Sequence, residues 1–238
     1  MPTTIVVGAS GRLGRTVCAE LARRGARVGG TFRTNEEAAA ELGRTIEGFV
    51  ARRLDLANAP AIERTIGELA AALGQVDAVV CCAAIASAAK TPSYDRLADI
   101  DPDGLAHLLA VNVAGPLLVA RAFASLASAK NLVLVGSVDG AKPVPTATPY
   151  ATTKGALVAM ARALAKELGP RILVNVVAPG VLEGGITDIV PDEVKREYLK
   201  HCAMKRFGTH EEIARSIAWL ALENTYVTGQ TLLLDGGL

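Results

Sequence analysis

The sequence predicts an α/β protein with one doubly wound, seven-stranded parallel sheet covered by helices on both faces. Three observations carry this. Short β-branched or apolar runs alternate with longer amphipathic stretches, the runs lack a polar face, and the first run leads through a glycine-rich turn into a helical pattern. Parallel strands need crossover connections and strands apolar on both faces need cover on both sides, so alternation and two-sided apolarity together select this architecture.

Taken in order, Thr3–Val7 reads as the first strand, followed by the turn from Gly8 to Gly14 and a helix over Leu13–Arg24. Strands at Arg27–Thr31 and Phe49–Leu54 come next, then a helix at Ala61–Leu73 and a strand at Ala78–Cys82. A long helix at Gly104–Leu126, a strand at Leu132–Gly136, a helix at Tyr150–Leu168 and a strand at Arg171–Val177 continue the alternation. A helix at Glu211–Leu222 and a strand at Thr231–Leu234 complete it. Each helix shows apolar residues three and four apart, the period of a helix face.

From Pro179 to about Phe207 the alternation breaks, with Gly184-Gly185 and Pro191 around a short helical segment at Asp192–His201. Such excursions in compact domains are usually lids, and this one follows a strand's carboxyl end, where open α/β sheets bind ligands. A substrate lid over 180–207 is expected. No internal repeat, low-complexity linker or composition break marks a boundary, so residues 1–238 are expected to form a single domain.

The chain has 238 residues, half of them hydrophobic, enough for one sizeable core. A net charge of +1 with evenly spread signs gives no footprint for nucleic acid or an anionic membrane surface, and neither partner is expected. No apolar run approaches the ~20 residues that span a bilayer, and a strand beginning at Thr3 leaves no room for a signal peptide. A cytoplasmic location is the expectation. Cys18, Cys81, Cys82 and Cys202 form no CxxC pair and read as reduced thiols, with Cys81 and Cys82, at the end of an apolar run, read as small buried hydrophobes rather than redox groups. His107, His201 and His210 are scattered, and no metal site is expected.

The turn Gly8-Ala9-Ser10-Gly11-Arg12-Leu13-Gly14 joins a strand to a helix, the context in which glycines serve a dinucleotide: a tight turn, close backbone approach to the pyrophosphate, and close helix–strand packing. Gly8, Ser10, Gly11, Arg12, Leu13 and Gly14 are therefore candidate phosphate contacts; a plain strand–helix turn is the competing reading. Folds that bind NAD place a carboxylate at the end of the second strand for the ribose 2′-hydroxyl. Here that place holds Thr31-Phe32-Arg33, with no acid before Glu36. Arg12 and Arg33 could clasp a 2′-phosphate, which favours NADP(H); the alternative is two solvated surface charges. Asp55, after the third strand, either contacts the adenine or is an ordinary turn residue. Leu56, Ala83, Pro179 and Gly180 complete the candidate cofactor contacts.

Tyr150 and Lys154 stand four apart at a helix start and share one face. A phenol with a free pKa near ~10 is a poor acid–base group at neutral pH, and a neighbouring ammonium favours phenolate. Ser137 follows the fifth strand, thirteen residues before Tyr150, so both can line one crevice.

With the glycine loop, Asn112-Val113-Ala114-Gly115, Ser137, Tyr150-Ala151-Thr152-Thr153-Lys154, Pro179-Gly180 and Thr228-Gly229-Gln230…Asp235-Gly236-Gly237, nearly the whole chain resembles the short-chain dehydrogenase/reductase family, which has a Rossmann-type fold. The resemblance implies that Tyr150 gives a proton to a carbonyl oxygen, Ser137 polarises it, Lys154 tunes Tyr150 and holds the nicotinamide ribose, and Asn112 completes a proton relay through water. Three features depart from the family pattern. Gly8, Gly11 and Gly14 have the spacing of its extended branch rather than TGxxxGxG; Cys81-Cys82-Ala83-Ala84 replaces Asn-Asn-Ala-Gly; and Gly184 stands where a threonine often holds the nicotinamide amide, with Thr187 nearby.

The segment Val174-Asn175-Val176-Val177-Ala178-Pro179-Gly180 most resembles bacterial 3-oxoacyl-carrier-protein reductases. That resemblance implies an acyl-carrier-bound or small-molecule carbonyl substrate, with Lys130 and Arg171 in regions that meet an acidic carrier, or as ordinary surface charges. Small alcohols, sugars, polyols and steroids stay open as substrates, because the family's specificity lies in the lid rather than the fold. A non-enzymatic NADP(H) sensor on this fold is the reading from a different class. An alanine face at Ala156, Ala159 and Ala163 suits either packing on the chain's own sheet or a helix contact in a homotetramer or dimer.

Overall fold

The computed structural model describes residues 1–86, 100–142, 148–184 and 192–238. Seven strands, β1 (Thr3–Val7), β2 (Arg27–Phe32), β3 (Val50–Arg53), β4 (Ala78–Cys81), β5 (Asn131–Val135), β6 (Leu173–Pro179) and β7 (Thr231–Leu234), form one sheet in the order β3-β2-β1-β4-β5-β6-β7. Every pairing is parallel. The strand order reverses between β1 and β4, so the connections leave a crevice outside their carboxyl ends, the place where such sheets take ligands.

The two faces of the sheet carry separate cores. Ile5 and Val7 point to one face with Ile62, Ile66 and Leu69 of α3 (Ala59–Leu73), Val119 and Phe123 of α5 (Gly115–Ala124), and Leu157 and Ala161 of α6 (Thr148–Leu168). Val6, between them in the strand, points to the other face with Val17 and Leu21 of α1 (Arg12–Arg23), Leu42 of α2 (Glu36–Thr45) and Ile213 and Ile217 of α8 (His210–Leu222). The period of two in the strand and of three to four in the helices is the same pattern the sequence displays.

Three elements differ from expectation. Helix α2 was not anticipated, because only Ala38, Ala39 and Leu42 of its residues are buried and the apolar signal is small. Its marks are instead at its start, where the Asn35 side chain accepts from Ala38 N at 3.0 Å and Glu36 and Glu37 face the helix's positive pole. The single helix expected at 104–126 is α4 (Pro102–Leu109), a π-helical turn over Ala110–Ala114, and α5. Taken whole, Pro102–Ala124 is a 23-residue stretch whose most apolar window has a mean hydropathy of 1.5, long and apolar enough to cross a bilayer on length and composition, contrary to the expectation above. One face of it packs into the core, with Leu108, Val119 and Phe123 at 0% exposure, while Leu109 and Leu117 are exposed. Helix α8 starts at His210, one residue before the expected Glu211, behind a capping box between Thr209 and Glu212.

The irregular stretch after β6 has its ends joined. Leu182 and Gly208 form a parallel bridge, and Gly208 N donates to Val181 O at 3.0 Å. Between them the expected short helix is α7 (Asp192–His201). Its Tyr198 hydroxyl donates to Asp235 O at 2.9 Å and accepts from Val181 N at 3.3 Å, and its ring lies 5.9 Å from that of Phe207.

Candidate active site

The carboxyl ends of β1 and β4 form the dinucleotide side of the crevice. Gly8 has φ +85°, and a Cβ there would lie 2.7 Å from Ala83 N. A Cβ on Gly14 would collide with the Gly8 carbonyl oxygen. The loop is pinned from β2: Gly8 N donates to Thr31 Oγ1 at 3.0 Å and Ala9 N to Thr31 O at 2.8 Å. Helix α1 begins behind Gly11 with no side-chain cap and no acidic residue in its first turn. Its leading amides and positive pole therefore face the crevice without a side-chain acceptor of their own, and this suits the pyrophosphate of a dinucleotide. Ser10 and Leu13 are half-buried beside it.

Arg12 lies with its guanidinium against Gly184, which has φ +74°; a Cβ there would lie 2.7 Å from Arg12 Cζ. Glycine at 184 thus lets the loop after β6 approach the glycine loop, whatever its consequence for the nicotinamide amide; Thr187 lies outside the described residues. Arg33 is exposed one residue beyond β2, its carbonyl accepting from Arg53 Nε at 3.0 Å. Asp55 builds the turn into α3, accepting from Ala57 N through Oδ1 and from Asn58 N through its carbonyl, both at 3.0 Å. Leu56 is buried under Gly115, where a Cβ would lie 2.8 Å from its own. Pro179 ends β6, and Gly180 N donates to Leu234 O at 3.0 Å.

The reactive side chains gather where β5 meets α6. Lys154 is buried, and its Nζ donates to Val135 O at 2.9 Å and lies 5.5 Å from the centroid of the Tyr150 ring. Burial pushes the ammonium down to about 8, countered in part by the negative charge of Asp139. Burial pushes the Tyr150 phenol up, and the negative charge of Asp139 adds to this, while a hydrogen bond with Ser137 draws it back. The expectation that Lys154 favours phenolate is therefore corrected: burial and Asp139 outweigh it, and Tyr150 holds its proton at neutral pH. A phenol in that state is a proton donor.

Ser137 caps a 3₁₀ turn over Val138–Gly140; its Oγ accepts from Asp139 N and donates to Asp139 Oδ2, both at 3.2 Å. The turn rests directly on α6, because a Cβ on Gly140 would overlap the Lys154 carbonyl carbon and lie 2.7 Å from Gly155 N. Asp139, Gly140 and Gly155 were not singled out from the sequence. A charged residue in a turn reads as solvated, and no local pattern marks two glycines that meet across fifteen positions.

Asn112 sits in the π turn and is 1% exposed. Its Oδ1 accepts from Ile85 N at 2.9 Å, and its Nδ2 donates to Ile85 O at 2.8 Å and to Thr153 Oγ1 at 3.2 Å. Both amide protons are thus committed to tying the segment after β4 to α6. Cys81 is buried and Cys82 half-buried at the end of β4; burial raises both thiols, Cys82 to about 12, so both are neutral and suit the reading as small hydrophobes.

Two sequence-based suggestions fail on geometry. Lys130 precedes β5 and Arg171 precedes β6, so in a parallel sheet both lie at the amino ends of the strands, opposite the crevice. Lys130 pairs with Asp77 at 2.9 Å, and Arg171 donates to the carbonyls of Ala124 and Leu126, so neither lines the active-site mouth. The alanine stripe does not pack on the sheet either: Ala159 and Ala163 are exposed and Ala156 half-buried, while Leu157, Ala161 and Ala165 face the core.

A doubly wound sheet with a glycine loop at its reversal point and a Ser–Tyr–Lys cluster on the neighbouring strand and helix defines a nicotinamide-dependent oxidoreductase. The chain belongs to the short-chain dehydrogenase/reductase family, and residues 8–238 match the family model described as Enoyl-(Acyl carrier protein) reductase. It is 34% identical over 238 residues to the 3-oxoacyl-[acyl-carrier-protein] reductase of Homo sapiens, covering 98% of this chain and 96% of the relative. A short-chain dehydrogenase from Burkholderia cenocepacia J2315, solved in complex with NADP, superposes with a TM-score of 0.90 at 26% identity, covering 99% of this chain and 97% of that one. BdcA, solved in complex with NADPH, superposes with a TM-score of 0.88 at 28% identity over 100% and 94%.

Proposed function

We propose that the protein is an NADP(H)-dependent carbonyl reductase whose substrate is a 3-oxoacyl thioester, with Tyr150 as the acid. The observation that carries this reading is the half-buried, proton-holding Tyr150 phenol beside Ser137 and the buried Lys154 ammonium. Bound in the crevice, the nicotinamide would supply the hydride. Tyr150 would then give its proton to the carbonyl oxygen, and Ser137 would hold that oxygen by hydrogen bonding. Lys154, fixed to Val135 O, would place a positive charge where the phenolate forms and so lower the cost of that transfer. Asn112 would keep the floor of the site in register by joining Ile85 to Thr153.

The choice of NADP(H) rests on Arg12 and Arg33 in place of an acid after β2, and on the NADP and NADPH complexes of the structural relatives. The thioester rests on relatives named as 3-oxoacyl-[acyl-carrier-protein] reductases, including that of Staphylococcus aureus, 28% identical over 250 residues. A cytoplasmic site of action and a homo-oligomer using the exposed Ala159 and Ala163 face of α6 complete the proposal. The test compares NADPH and NADH oxidation with an acetoacetyl thioester, presented on N-acetylcysteamine and on a carrier protein, and with small ketones. Turnover with NADPH and a thioester is the expected result; preference for NADH or for a small ketone would overturn the corresponding part.

A further inference from the structure

Asp139 has no place in the reaction as described, yet its carboxylate is the acceptor for the Ser137 hydroxyl. Ser137 can make three hydrogen bonds, donating one and accepting two. Its oxygen already accepts from Asp139 N and its proton goes to Asp139 Oδ2, so the remaining lone pair serves the Tyr150 hydroxyl or, in its place, a reacting oxygen. In that state Ser137 can accept from an alcohol O–H but has no proton for a carbonyl.

If the Asp139 carboxyl is neutral, its own O–H can donate to Ser137 and take up that lone pair, leaving the Tyr150 hydroxyl to face the substrate. The Ser137 proton is then free to point at a carbonyl oxygen. We propose that Asp139 is a positioning residue that sets the direction of the Ser137 hydroxyl: the carboxylate form prepares the site for an alcohol, the neutral form for a ketone. This rests on the reading of Ser137 as the group that holds the reacting oxygen.

The setting makes the neutral form accessible. Burial raises the Asp139 carboxyl above its ordinary value, against the Ser137 hydrogen bond and the positive charge of Lys154, which lower it. Among the described residues, the groups facing it are Ser137 in its own turn and Tyr150 and Lys154 on α6, with Cys81 and Cys82 of the β4 end beyond Lys154. Lys142, the next charged residue in the turn, is directed to Asp235 and to the Leu238 carbonyl. Gly140 packs directly on α6 at Lys154 and Gly155, which sets the turn that carries Asp139 against this cluster.

The experiment has two arms. In the first, kcat/KM for ketone reduction and for oxidation of the matching alcohol is measured against pH in the wild type and in Asp139→Asn, with thermal melting as the control for folding. The wild type is expected to lose reduction and gain oxidation through one shared ionisation lying above ~4, the ordinary aspartate value, each limb changing about tenfold per pH unit. Asp139→Asn is expected to lack that ionisation. The same ionisation in the variant, with only an altered kcat, would overturn the proposal.

The second arm needs no turnover. Infrared difference titration of wild type against Asp139→Asn reads the Asp139 carboxyl directly, and the same measurement is made in Ser137→Ala. Removing the hydroxyl that donates to the carboxylate is expected to raise the Asp139 midpoint further. An unchanged midpoint would overturn the link between the two residues, whereas failure of every substrate with the infrared shift intact would overturn the reductase reading and leave the link standing.

Discussion

Lys154 Nζ donates to the carbonyl of Val135 at 2.9 Å, so the cation of α6 is fastened to the last residue of β5, two positions before Ser137. The bond joins the two elements that carry the reactive groups and explains how an ammonium is kept in a buried site.

A buried Lys154 makes stability depend on pH with a definite sign. Its folded pKa of about 8 lies below the unfolded value of 10.5, so between these limits the unfolded chain binds more protons and stability rises with pH. Lys154→Met should lose this rise, measured as the difference in melting temperature between pH 8 and 10.5. Turnover in Lys154→Met should fall about 100-fold or more.

Gly14→Ala places a methyl group on the Gly8 carbonyl oxygen and must push α1 away from the loop. Overpacking of this kind costs about 1–3 kcal/mol, and dinucleotide affinity should fall at least about tenfold. Titration by nicotinamide fluorescence, with a thermal melt, checks both; unaltered affinity would contradict the assigned role of the loop.

Asn112→Ala removes three hydrogen bonds and leaves the Ile85 amide without its acceptor. A loss of about 1–3 kcal/mol follows. At about 2–4 °C per kcal/mol for a chain of this size, calorimetry should detect it as a lowered melting temperature.

Arg12→Ala and Arg33→Ala should each raise KM for NADPH about 10- to 100-fold, the value of a charge-assisted hydrogen bond to phosphate, and leave KM for NADH within about twofold. Equal effects on both cofactors would remove the 2′-phosphate assignment and leave Arg12 as a packing partner of Gly184.

The sheet was legible because most of its strands are apolar on both faces and its helices periodic, and Ser137, Tyr150 and Lys154 were legible because each sits at a strand end or helix start that points into one crevice. What stayed hidden depends on contacts between distant residues. Asp139 looks like any turn acid until its carboxylate is found on Ser137, and Gly140 and Gly155 look like ordinary glycines until a turn is seen resting on a helix. The π turn that carries Asn112 has no local sequence mark, since Ala110–Ala114 fits an α-helix equally well. Of the two readings of Lys130 and Arg171, the carrier-facing one fails for a simpler reason: each precedes its strand, and in a parallel sheet that puts it at the end away from the site.

The most direct test of the central claim is the rate of NADPH-driven reduction of an acetoacetyl thioester by Tyr150→Phe against wild type, with dinucleotide affinity measured alongside. Loss of the phenolic proton should lower kcat by about 100- to 10,000-fold while NADPH affinity stays within about threefold. Full turnover in Tyr150→Phe would contradict the account, because no proton donor other than Tyr150 has been assigned at the β5–α6 cluster.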